Sequence, residues 1–262
     1  MQRTARARAL AALAFVLALG GCARNQEVNN TPQQGSPEAN AQARARIHTE
    51  LSAGYYTRGQ FDVALEELNE SLRIDPTFAP AYGMLGLVYS ELRDDARAER
   101  NFLRAIELNP QDPEVRNNYG WFLCQRGREP QSLGQFDLAV NNPFYRTPDM
   151  ALVNAGRCAA KLGDRKGAEA YLQRALTFAP SSSAAHTLFA SLAYKAGEYD
   201  TARTRMRTVM SIPGPSPEAL LLGLCIEKKL GDRSAETTYA SQLKLRYPNA
   251  AETKLADAGS CP

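Results

Sequence analysis

From Ala45 to Asn249 the chain repeats a pattern about every 34 residues, and no other feature constrains its fold as strongly. The clearest copy is Ala79–Asp112, APAYGMLGLVYSELRDDARAERNFLRAIELNPQD. Its first half, near Ala79–Leu92, sets Tyr82, Leu85, Leu87, Val88 and Leu92 at helical spacings. Arg93-Asp94-Asp95 makes a corner. The second half, near Asp95–Leu108, offers Ala98, Phe102, Ala105, Ile106 and Leu108 on one face, and Pro110 ends it because proline cannot continue a helix. Gly86 and Ala98 are small, which lets two antiparallel helices approach to the lower end of the usual range of about 8–10 Å.

The register holds along the chain. A small residue opens each second helix at Ala64, Ala98, Ser132, Ala168, Ala202 and Ala235. A larger one follows four positions on, at Leu68, Phe102, Phe136, Leu172, Met206 and Tyr239. A proline closes each unit at Pro76, Pro110, Pro143, Pro180, Pro213 and Pro248, and a corner glycine stands at Gly59, Gly127, Gly163, Gly197 and Gly231. Glycine there can take the left-handed conformation that ends a helix. The third unit carries a two-residue insertion. This period and helix–turn–helix content are the tetratricopeptide signature. The expected fold is therefore all-α: a right-handed superhelical solenoid of about six repeats, near 45–78, 79–112, 113–148, 149–182, 183–215 and 216–249.

The formal charge is +3, but Arg3, Arg6 and Arg8 lie in the first 21 residues, which contain no acid. Without them 28 basic residues face 28 acidic ones, so the rest of the chain lacks the footprint that nucleic-acid binding requires. Residues 1–21 read as a signal peptide: three arginines, then an apolar run from Ala9 to Leu19 that is too short to span about 30 Å of hydrocarbon. The sequence Leu19-Gly20-Gly21-Cys22 resembles a bacterial lipobox, which implies lipidation of Cys22, and Ala23 after it favours the outer membrane by the enterobacterial sorting rule. Residues 22–44 are polar and are expected to form a disordered tether, and residues 250–262 a loose tail.

A concave groove is what such a solenoid offers a partner. The expected groove residues are Leu87, Glu91, Asn117, Trp121, Val153, Arg157, Ser191 and Tyr194, with the only tryptophan as anchor and Lys195 at the rim. His48 and His186 hold equivalent repeat positions, which points to packing. Cys124 and Cys158 are one repeat apart, late in the first helices of adjacent units, so a disulfide is within reach; Cys225 is expected to stay a core thiol. There is no C-x-x-C pair, phosphate loop, G-x-S-x-G or H-E-x-x-H, so no metal, cofactor, small-molecule substrate or enzymatic activity is expected.

The runs NNYGWFLCQRG (Asn117–Gly127), NPFY (Asn142–Tyr145) and NAGRCAAKLGDRKGAEAYLQRAL (Asn154–Leu176) resemble the type IV pilus biogenesis and stability lipoproteins of the PilF/PilW family, some of which are secretin pilotins. The similarity continues through Leu222-Gly223-Leu224 and LKLRYPNAAE (Leu243–Glu252). It departs at Arg128–Gly134, REPQSLG, which leaves the start of that second helix open. The resemblance implies an outer-membrane lipoprotein on the periplasmic side that binds the pilus secretin and promotes its localisation or multimerisation. The alternative is a general scaffold lipoprotein that recruits envelope proteases or barrel-assembly factors. Both readings share the repeats; only NNYGWFLC and NPFY separate them.

Overall fold

The structure, a computed structural model, describes residues 36–261. The expected signal peptide, Cys22 and most of the expected tether lie outside these residues. The described residues form thirteen α-helices and no strand. The first twelve pair as α1 (Pro37–Thr57) with α2 (Phe61–Ile74), α3 (Ala79–Glu91) with α4 (Asp95–Leu108), and α5 (Pro113–Gln125) with α6 (Glu129–Val140). Then come α7 (Pro148–Lys161) with α8 (Arg165–Phe178), α9 (Ser183–Lys195) with α10 (Tyr199–Met210), and α11 (Pro217–Leu230) with α12 (Arg233–Arg246). A short α13 (Ala251–Asp257) follows.

The starts of these helices are written in the sequence. Asp94, Asp112, Asp164, Ser182, Ser216 and Asp232 each accept a hydrogen bond from a first-turn backbone N–H, which satisfies donors the helix cannot. At α6, Pro130 sits in the first turn, where its missing N–H costs nothing, so the helix begins at Glu129 despite the REPQSLG sequence.

The repeat ladders meet one another inside each pair. A Cβ added at Gly86 would stand 2.7 Å from the Phe102 ring, one at Gly120 2.9 Å from Phe136, and one at Gly156 3.1 Å from Leu172. Glycine on the first helix therefore makes the seat that the large residue of the second helix fills. Phe102, Phe136 and Leu172 are fully buried there. Five of the corners carry glycine with φ between 71° and 86°, but the second unit has Arg93 at φ 61°. Left-handed backbone costs a residue with a Cβ about 1–2 kcal/mol, so Arg93 is held against its preference.

Two expectations at the ends of the stack are corrected. Residues 37–44 are not tether: Pro37 and Glu38 open α1, alanines favour its continuation, and Ala45 is fully buried. Residues 250–261 are not a loose tail. α11 is apolar nearly all round from Leu220 to Ile226, and no further pair covers its far side. α13 packs there instead, with Ala256 against the core around Leu224. Lys228 donates to Gly259 O at 3.1 Å, and Lys244 pairs with Asp257 at 2.7 Å.

Cys124 and Cys158 are disulfide-bonded, with their Cα atoms 5.9 Å apart. Cys225 is also bonded, to Cys261, and so is not the free core thiol expected from its place in the stack. The expectation failed because it weighed only partners in neighbouring repeats, whereas the tail folds back onto α11. Alkylation of the native protein without reductant is expected to leave all four cysteines unlabelled. Labelling of Cys225 and Cys261 would remove the second staple.

Candidate functional site

A cleft of about 640 Å³ opens on the face shared by the first helices of successive units. Trp121 and Gln125 of α5, Arg157 and Lys161 of α7, and Ser191 and Lys195 of α9 line it, each pair one helical turn apart. Leu188 and Leu192 give it an apolar floor, Arg93 reaches it from the corner after α3, and Glu218 from the first turn of α11. Arg157 Nη1 lies 3.5 Å from Glu218 Oε1, so α7 touches α11 past the intervening α9. Helices packed side by side at about 8–10 Å would hold α7 and α11 roughly 20 Å apart if flat. The contact accords with the inward curve of a tetratricopeptide superhelix, whose concave surface the first helices line.

The cleft is apolar at its floor and cationic at its walls. Lys161 is engaged: it donates to Cys124 O at 2.6 Å and pairs with Glu129 at 3.0 Å. The Glu129 carboxyl is held below the usual carboxylate range by its backbone amide first and by Lys161 second. Arg157 has only the long contact to Glu218. Among the described residues, Arg93 and Lys195 have no ion pair or side-chain hydrogen bond. Asp95, two positions after Arg93, is taken by Arg126 at 2.6 Å.

Of the residues expected in the groove, the structure brings together Trp121, Arg157 and Ser191. Trp121 also packs on the cluster around the Cys124–Cys158 disulfide. The others lie elsewhere. Val153 and Tyr194 are buried, the first in the α7–α9 core and the second against Tyr199 at 5.6 Å between ring centroids. Leu87 packs on the Phe102 cluster, and Glu91 accepts a hydrogen bond from Tyr56 Oη at 3.4 Å. Asn117 accepts from Asn154 Nδ2 at 3.1 Å, an amide link between adjacent first helices. Lys195 lines the cleft and is not a rim bystander. Gln125 and Lys161 were missed and Lys195 was set at the rim, although each stands four positions after a groove residue. Glu91 bears that same relation to Leu87, so carrying one register through all units would have found them. His48, 2.7 Å from Glu67, and the buried His186 do not line the cleft. Among the described residues, no group of three or more His, Cys, Asp or Glu could hold a metal ion.

Six helix pairs, a capping helix and a concave cleft built from first helices define a tetratricopeptide solenoid. The tetratricopeptide repeat family is matched over residues 101–140, and again over 79–112 and 151–182. The chain is 28% identical over 245 residues to the type IV pilus assembly protein PilF of Pseudomonas aeruginosa, covering 92% of this chain and 95% of that one. The solved structure of PilW, described as a widely conserved type IV pilus biogenesis factor, superposes with TM-score 0.71 at 32% identity, over 81% of this chain and 97% of PilW. The structure of Pseudomonas aeruginosa PilF superposes with TM-score 0.70 at 25% identity, over 84% of this chain and all of that one. The chain belongs to the PilF/PilW family of tetratricopeptide proteins.

Proposed function

We propose that this protein is a lipoprotein of type IV pilus biogenesis, anchored in the outer membrane through Cys22, which captures a segment of the pilus secretin in its concave cleft and promotes secretin localisation or multimerisation. The observation that carries the pilus assignment is similarity along nearly the whole length of PilF and PilW, not merely over generic repeats. The cleft supports capture of a chain segment: it combines an aromatic anchor, an apolar floor and polar walls. The lipid anchor concentrates the captured subunits at one surface, which raises the rate of their encounter without any new contact. Deletion of the gene is expected to abolish secretin multimers and surface pili together. Pili lost with multimers intact would separate the protein from the secretin and favour the general scaffold.

Buried acyl chains contribute about 0.8 kcal/mol per CH₂, so two or more hold a protein firmly at a membrane. Cys22→Ser is expected to shift the protein from outer-membrane fractions to soluble or precursor forms. Unchanged flotation with outer membranes would rule out the anchor.

A further inference from the structure

We infer that the cleft is built for an acidic occupant: an extended peptide segment whose carboxylates flank a large apolar side chain. This deepens the reading above, because it assumes the cleft is a binding surface and specifies what it takes. Three observations carry it. Four cations, Arg93, Arg157, Lys161 and Lys195, line the cleft against the single carboxylate of Glu218, although the formal charge of the whole chain is only +3. Only Lys161 is saturated by its own neighbours.

The second observation is the conformation of Arg93. Every other unit corner has glycine, and Arg93 takes the same left-handed backbone at φ 61°. Stability alone favours glycine there, so the side chain is retained at a cost to the fold, and it reaches the cleft with only a through-space attraction to Asp95, whose carboxylate is hydrogen-bonded by Arg126. Strain held at a ligand-facing residue is a mark of function.

The third is the contact of Glu218 with Arg157, both half exposed and 3.5 Å apart. A carboxylate already reaches the Arg157 guanidinium, at a distance too long for a tight pair. An incoming carboxylate placed closer would displace it. Trp121 and Leu188 line the same cleft as these cations and supply the surface for an apolar side chain.

The test uses the only tryptophan as its own reporter. The probes are the heptapeptide Glu-Asp-Leu-Phe-Leu-Asp-Glu, its Gln/Asn counterpart, and phosphatidylglycerol vesicles. Titration of the full chain with the acidic peptide is expected to change Trp121 emission saturably, with the amide counterpart weaker by about tenfold or more. Raising ionic strength from about 0.05 to 0.3 M is expected to weaken it several-fold. Arg93→Gly is expected to raise Tm by a few degrees while weakening the peptide about 3- to 10-fold, opposite signs that a purely structural role could not produce. Glu218→Gln is expected to tighten it, since it frees Arg157. Equal binding of the acidic and amide peptides, parental affinity in Arg93→Gly, or a response to the vesicles alone would overturn the inference. A purified periplasmic secretin domain is titrated alongside. If it perturbs Trp121 while the acidic peptide does not, the inferred chemistry falls and the secretin reading stands; the reverse result removes the secretin and keeps the acidic occupant.

Discussion

Trp121→Ala is expected to weaken capture of a purified secretin domain by about 30- to 1000-fold, the usual loss of about 2–4 kcal/mol when a hot-spot aromatic is truncated. The indole lines the cleft from α5, which follows the Arg93 corner in the stack and precedes α7 with Arg157 and α9 with Ser191 and Lys195. Its removal leaves the cations in place but takes away the apolar surface on which an occupant rests. Because Trp121 also packs near the Cys124–Cys158 disulfide, some loss of stability is expected as well. Far-UV circular dichroism therefore accompanies the binding measurement, and helix content is expected to match the parent. Lys195 lines the cleft and cannot serve as the inert control. Phe178→Ala is the better one: it truncates an aromatic that is 58% exposed at the end of α8. Parental binding by Trp121→Ala, with Phe178→Ala alike, would show that the indole serves packing alone.

The second large effect is on stability. Phe102→Ala is expected to cost about 3–5 kcal/mol, the range for emptying a fully buried aromatic site. The Phe102 ring fills the seat over Gly86 and packs tilted against Tyr119 and Phe122, each 5.6 Å away between centroids, so it joins the second repeat to the third. A helix glycine below and two aromatic rings beside it leave little freedom to collapse around the void. Thermal or urea unfolding measures the loss, expected at about 2–4 °C of Tm for each kcal/mol in a chain of this size. Gly86→Ala attacks the same contact from the other side, and overpacking there is expected to cost about 1–3 kcal/mol. The two changes combined are expected to cost less than their sum, because the added methyl enters the space the ring has left. Simple additivity would mean that the seat and the ring do not depend on each other.

That contact also shows why so much of the fold was legible. The small residues of first helices and the large residues of second helices recur in the sequence as separate ladders; the structure joins them as seat and occupant, Gly86 with Phe102 and Gly120 with Phe136. Side-chain size and period are local properties, and a repeat architecture turns local properties into the core. The cleft was only half legible. Trp121, Arg157 and Ser191 occupy one register position across three units, but Val153 and Tyr194 were chosen from other registers and turn inward. The two-residue insertion in the third unit sets Trp121 and Arg157 36 residues apart, which hides the correspondence of Gln125, Lys161 and Lys195. Arg93 was visible only as a gap in the glycine ladder. The ends of the stack were misread for a different reason. Composition marks residues 37–44 and 250–261 as polar, but whether a polar segment folds depends on the uncovered surface beside it, which period and composition do not describe.

The bond between Cys225 and Cys261 reroutes mechanical load. Tension applied to the chain beyond Cys261 passes through the sulfurs to Cys225 in the middle of α11, and α12 and α13 carry none of it. In an unstapled solenoid the outermost elements peel first, because each contacts only its neighbours. Here the first helix to feel a pull from that side is one whose residues from Ala219 to Glu227 are all buried. The shielded loop has a sequence separation of 36. Extended at about 3.5 Å per residue, such a loop would add roughly 120 Å of contour length that tension cannot draw out while the bond is intact. In an optical trap, that length is expected to be missing from the oxidised protein and recovered after reduction.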